Sequence, residues 1–147
     1  MATVRPIRES ELDELLTLYR MLNPADPELA PLDVRDQWAA VQSDENLDIV
    51  VVEHDDQLVA SCVLSITPNL TRGGRPWAVI ENVVTHEDYR NQGFASQCLD
   101  EATAIARARD CYKIMLLTGT DEQWKHDFYE SCGFDGDEKT GFVKTLG

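Results

Sequence analysis

The spacing of apolar positions changes period several times along the chain, and each change marks an element. Thr3 to Ile7 makes a short first strand. Ser10 followed by Asp13 resembles a capping signal for a helix whose apolar stripe is Leu12, Leu15, Leu16, Tyr19 and Leu22. Pro24, Pro27 and Pro31 break the chain, and a second helix follows with Val34, Trp38 and Val41 facing inward. Asp48 to His54 and Leu58 to Thr67 are β-rich runs around Asp55-Asp56-Gln57, the pattern of an antiparallel hairpin. A polar turn, Asn69 to Pro76, leads into Trp77–Thr85, whose Val and Ile content predicts a central strand. Ala95, Cys98, Leu99, Ala102, Ile105 and Ala106 return to helical spacing. A strand over Tyr112–Thr118, a helix over Asp121–Cys132 stopped by Gly133, and a closing strand over Gly141–Leu146 complete the order. The expected fold is mixed α/β, a central mixed sheet flanked by helices, in one domain over residues 1–147.

Composition narrows the possible partners. A formal charge of −14 argues against nucleic acid or an anionic membrane, because both need a basic surface that displaces counterions. Cys62, Cys98, Cys111 and Cys132 are scattered, without a Cys-x-x-Cys pair or a His at ligand spacing. The expectation is reduced core thiols in a cytoplasmic protein that holds no metal. No signal-peptide pattern or membrane-length apolar run is present, so Asn69-Leu70-Thr71 reads as a loop tripeptide rather than a glycosylation site.

The candidate chemistry sits where the central strand gives way to the next helix. Gly93 lets a ligand approach the backbone, Arg90 supplies a permanent cation, and the first N–H groups of the helix point into the loop. An anion is expected there. The Gly-x-x-x-x-Gly-Lys-Ser/Thr loop of nucleotide-binding proteins is absent, and this loop follows roughly the fourth strand, whereas a dinucleotide fingerprint follows the first. Arg90-x-x-Gly93-x-Ala95 instead resembles the pyrophosphate loop of the GCN5-related N-acetyltransferases, which use acetyl-coenzyme A. Phe128-Tyr129 followed by Gly133-Phe134 resembles a second element of that family, in which the tyrosine lies near the coenzyme sulfur. The run from Ile80 to Gly93, with Cys111 to Ile114, is similar in wording to glucosamine-6-phosphate N-acetyltransferases. Departures from that pattern are Asn82 in place of an aspartate, Leu117 in place of an acidic residue, and Lys125 in place of an asparagine.

The resemblance implies acetyl-coenzyme A as co-substrate. It assigns the coenzyme to Val83, Val84 and Thr85, to the run Arg90, Asn91, Gln92, Gly93, Phe94, Ala95 and Ser96, and to Lys125. The implied reaction is direct attack by the primary amine of a small molecule in a ternary complex, with a glucosamine-6-phosphate N-acetyltransferase or a non-catalytic coenzyme sensor as the alternatives and homodimer formation as a family habit. Such transfer needs a neutral amine, a polarised carbonyl and a stabilised thiolate. Glu81, two residues before Val83 and so expected on the same strand face, is the candidate proton acceptor. An ordinary Glu against an alkylammonium leaves about six units uphill, or about 8 kcal/mol, so proton loss must be concerted with attack or the Glu tuned. Tyr129 is the candidate thiolate stabiliser, since a phenol facing a thiol is mismatched by only about 2 kcal/mol. Arg20 and Arg35 are the only arginines or lysines between Arg8 and Arg72, against many carboxylates, so the expected acceptor is an amine without a phosphate.

Overall fold

The computed structural model describes residues 1–119 and 121–147, which divide into two compact units, Met1–Met115 and Leu116–Gly147. In the first unit five strands form one sheet in the order of the chain: β1 (Thr3–Pro6), β2 (Leu47–His54), β3 (Gln57–Thr67), β4 (Trp77–Thr85) and β5 (Lys113–Met115). The first three pairings are antiparallel and the last is parallel, so the sheet is mixed as expected. The β2–β3 hairpin turns on Asp55 and Asp56, both left-handed at φ 53° and 61°. That is the geometry a two-residue turn needs to match the twist of its strands.

The helices cover the sheet in the way their stripes require. Leu15 and Leu18 of α1 (Leu12–Leu22) form a buried cluster with Ile49, Val51, Leu58 and Val84. Trp38 and Val41 of α2 (Pro31–Ser43) pack against that cluster, as do Tyr19 and Leu22, so the predicted inward side of α2 is the observed one. In α1 the stripe is corrected at one position: Leu18, not Leu16, is the fully buried residue. Cys98, Leu99, Ala102 and Ala106 of α3 (Phe94–Ala108) are buried. The Cys62 thiol donates to the Cys98 carbonyl at 3.7 Å, which fixes the sheet face that α3 covers. Hydrogen bonding to Cys62 together with burial holds the Cys98 thiol well above its usual range, so it stays protonated and unreactive.

Four expectations about the elements are corrected. The first helix is entered through a short 3-10 turn at Glu9–Glu11, and Glu11 rather than Ser10 supplies the capping carboxylate, accepting from the Arg8 N–H at 2.8 Å. β5 is confined to Lys113–Met115 instead of running to Thr118. Gly141–Leu146 is not a strand: Phe142, Val143 and Leu146 are 91%, 74% and 83% exposed. Strand propensity expresses how well a side chain fits a half-buried pleated surface, and these side chains bury almost nothing. The second unit contains α4 (Gln123–Ser131), shorter than expected at both ends, and Gly133 follows it in the left-handed conformation at φ 93° as a helix stop.

The start of the chain is locked by charge. Arg5 makes two 2.8 Å hydrogen bonds to the Glu11 carboxylate and one of 2.6 Å to Glu53. Its guanidinium holds the Glu11 carboxyl below the usual carboxylate range, against a smaller opposing effect of burial. A depressed folded-state pKa contributes stability that is present above the unfolded value near 4.3 and is lost as pH falls through the folded value. We therefore expect the stability advantage of the native chain over Glu11→Gln, measured as the difference in urea midpoints, to be largest at neutral pH. It should shrink steadily as the pH is lowered below about 4.

Candidate active site

The decisive local feature of β4 is a bulge. Asn82 takes φ 53° in the middle of the strand, and the β3–β4 register slips between Ser61 and Val63 at the same place. One extra residue reverses the alternation of side chains. Glu81 lies opposite Val63, which packs on the α1 cluster, and Val84, opposite Ser61, enters that same cluster. Glu81 therefore shares its face with Val84 and not with Val83, which corrects the expectation from simple alternation. Both Glu81 and Asn82 are exposed, Val83 and Thr85 are half-buried, and Val84 is buried. Burial pushes the phenol of Tyr19 on α1 up to about 12, against a smaller opposing effect of the neighbouring Asn82 side chain. Pairing with β5 ends at Val79–Met115, so that edge of β4 has no β5 partner from Ile80 onward. A left-handed residue only three positions beyond the last pair redirects the strand, which accounts for the shortness of β5.

Beyond β4 comes the loop expected to bind an anion. His86 starts a 3-10 turn over Glu87–Tyr89, its Nδ1 accepting from the Asp88 N–H at 3.1 Å. Arg90, Asn91, Gln92 and Gly93 are exposed, and Phe94, the first residue of α3, is buried. Asn91 and Gly93 are both left-handed, at φ 62° and 83°, and Gly93 occupies the N-cap of α3. A Cβ built on Gly93 would meet nothing within 4 Å, so the space in front of the loop is open to a ligand. The start of α3 faces this opening with its partial positive charge. Ala95 and Ser96 are half-buried in the first turn. Four side chains form an aromatic group at the flanks of the loop: His54, His86, Tyr89 and Phe94. His86 and Tyr89 fall within the matched run from Ile80 to Gly93 and Phe94 within the assigned loop, whereas His54 lies outside every motif.

The remaining two predicted residues lie on α4, in the second unit. Tyr129 is half-buried, and its ring meets Phe128 at 5.1 Å and Phe134 at 6.2 Å. The Phe134 N–H donates to the Tyr129 carbonyl at 3.1 Å, so the matched glycine and phenylalanine close the helix around the tyrosine. Lys125 stands 3.8 Å from the Glu122 carboxylate, with its ammonium over the Trp124 ring. Glu81, the β4 residues and the loop thus belong to one unit, and Tyr129 and Lys125 to the other. Among the described residues no group of His, Cys, Asp and Glu has the arrangement of a metal site.

A family model described as the acetyltransferase (GNAT) family matches residues 12–134, from α1 through the end of α4 and across both units. The chain belongs to this family. It is 31% identical to a glucosamine 6-phosphate N-acetyltransferase of Trypanosoma brucei brucei, with 92% of this chain and 90% of that protein covered. It is 22% identical to an aminoglycoside N(6')-acetyltransferase type 1 of Acinetobacter genomosp. 13, with 96% of each covered. A solved structure of an Agrobacterium tumefaciens str. C58 protein superposes with a TM-score of 0.93 at 42% identity, covering 98% of this chain and 99% of that one. The chain is an N-acetyltransferase, and its family takes acetyl-coenzyme A as co-substrate.

The open approach to Gly93 yields a direct expectation. Gly93→Ala places a side chain on left-handed backbone, which costs about 1 kcal/mol, and also fills part of the open space in front of the loop. Its melting temperature should fall only modestly, while calorimetry should show the coenzyme A dissociation constant rising at least about tenfold, or about 1.4 kcal/mol.

Proposed function

We propose that this N-acetyltransferase acts on the primary amine of a small molecule, by direct attack on acetyl-coenzyme A in a ternary complex. The observation that carries the reading is the junction of β4 with α3, where an open glycine, an exposed arginine and a helix start converge beyond a strand edge without a β5 partner. In this reading Arg90, Asn91, Gln92, Gly93, Phe94, Ala95 and Ser96 hold the pyrophosphate. The backbone of Val83, Val84 and Thr85 receives the pantetheine arm and the thioester oxygen, and Lys125 assists coenzyme binding. Glu81 takes the proton of the attacking amine through water, the new C–N bond displaces the sulfur, and Tyr129 stabilises the departing thiolate.

A thiol-release screen of amines at fixed acetyl-coenzyme A tests the reading, with polyamines, zwitterionic amines, an aminoglycoside and glucosamine-6-phosphate as acceptors. A second acceptor reading, glucosamine-6-phosphate itself, is favoured by the similarity to the trypanosomal enzyme. The acidic composition of the first seventy residues favours an amine without phosphate. A higher kcat/KM for a cationic or zwitterionic amine than for glucosamine-6-phosphate supports the composition argument, and the reverse ranking supports the second reading. Coenzyme binding with no thiol release from any amine would point to a sensor domain. Tyr129→Phe should lower turnover at least about tenfold, roughly 1.4 kcal/mol, with coenzyme affinity nearly unchanged.

The unbridged thiols of Cys62, Cys98 and Cys111 suit a reducing, cytoplasmic setting, and among the described residues no helix is long and apolar enough to cross a membrane. A homodimer is part of the proposal, supported by the exposed Phe142, Val143 and Leu146 and by the outer edge of β5, which pairs with no strand among the described residues. Sedimentation should give a dimer for the native chain, and Phe142→Glu should shift it toward monomer.

A further inference from the structure

The loop read as the pyrophosphate site is anchored from outside itself. Its four residues, Arg90 to Gly93, are exposed and bring little packing of their own. Their flanks are Tyr89 and Phe94, and both rings meet the imidazole of His54, at centroid separations of 5.9 and 5.0 Å. Tyr89 and Phe94 stand 6.4 Å apart, and His86 approaches Tyr89 to 5.4 Å. The Gln57 carboxamide donates to the Tyr89 hydroxyl, and the His86 N–H donates to the Val59 carbonyl at 2.7 Å. Each of these partners, His54, Gln57 and Val59, belongs to the β2–β3 hairpin.

Left-handed backbone at Asn91 and Gly93 persists only where the surroundings hold both ends of the segment. Without a clamp, four exposed residues would have to be ordered on ligand binding, and that ordering opposes affinity. The imidazole holds the flanks by its faces and edges. Its Nε2 faces the Asp55 carboxylate at 3.4 Å, and its buried Nδ1 has no hydrogen-bond partner among the described residues. The ring's shape is therefore what the site uses.

We propose that His54 is a positioning residue for the coenzyme, holding the flanks of the Arg90–Gly93 loop through Tyr89 and Phe94 so that the loop is already shaped for a pyrophosphate. The inference rests on the reading of that loop as the pyrophosphate site. Titrations of the full chain with coenzyme A and with pantetheine, which lacks the pyrophosphate, separate the two. His54→Ala should weaken coenzyme A at least about tenfold and leave pantetheine within about twofold, whereas His54→Phe should stay within about threefold of native for both. Equal loss for the two ligands, an unaltered coenzyme A affinity in His54→Ala, or a His54→Phe as weak as His54→Ala would each overturn the proposal. If His54→Ala fails to fold, Gln57→Ala frees the Tyr89 hydroxyl instead. A selective loss of coenzyme A affinity in that variant supports the clamp, and no loss overturns it. A native chain that binds coenzyme A no tighter than pantetheine overturns the loop reading itself, and the clamp with it.

Discussion

A single left-handed residue in the central strand organises the first unit of this acetyltransferase around the junction of β4 with α3. Asn82 inserts one residue into β4, and every side chain after it changes sides. Val84 is thereby turned into the α1 cluster, and the strand leaves its parallel neighbour before running into the anion loop. An L-residue in this conformation costs free energy unless its surroundings specify it, and here Tyr19 of α1 meets the Asn82 carboxamide. Asparagine is among the residues that tolerate left-handed backbone best, which explains why the bulge falls on it rather than on the valines that follow.

The loop beyond the bulge divides its tasks between two sets of residues. Arg90 and Gly93 present charge and open space, and the start of α3 adds its partial positive charge. Ring contacts and hydrogen bonds from the hairpin supply the rigidity that such a short exposed segment lacks. On the proposed reading, strand, loop and helix form a preshaped receptor in a chain whose net charge of −14 would otherwise repel a polyphosphate.

Much of this was legible in the sequence, for identifiable reasons. The Val- and Ile-rich run over Trp77–Thr85, the helical spacing after Gly93 and the hairpin around Asp55 and Asp56 all lie where the patterns put them, because each is dictated by local backbone preference and by one buried face. The Arg90–Ala95 hexad and the Phe128–Phe134 element were enough to name the family, since binding a fixed ligand repeats the same residue types at the same spacing. The stop at Gly133 follows from its freedom to adopt positive φ.

What the tertiary structure decided depends on contacts between distant segments. Alternation alone put Glu81 beside Val83, and only the register against β3 shows that the bulge separates them. Period could not distinguish Leu16 from Leu18 in α1, because the choice depends on where the helix sits over Val51 and Val84. The β propensity of Gly141–Leu146 met no partner that would make it a strand, and Tyr112–Thr118 shrank to the three residues that pair with β4. His54 ends a strand some forty residues from the loop it touches, and no local pattern marks it. Sequence by itself determined the order of the elements through α4 and the residue types the loop presents, all of which arise from neighbours within a few residues. Which face each side chain occupies, and what holds the loop still, arose only when the sheet brought the hairpin, α1 and β4 together.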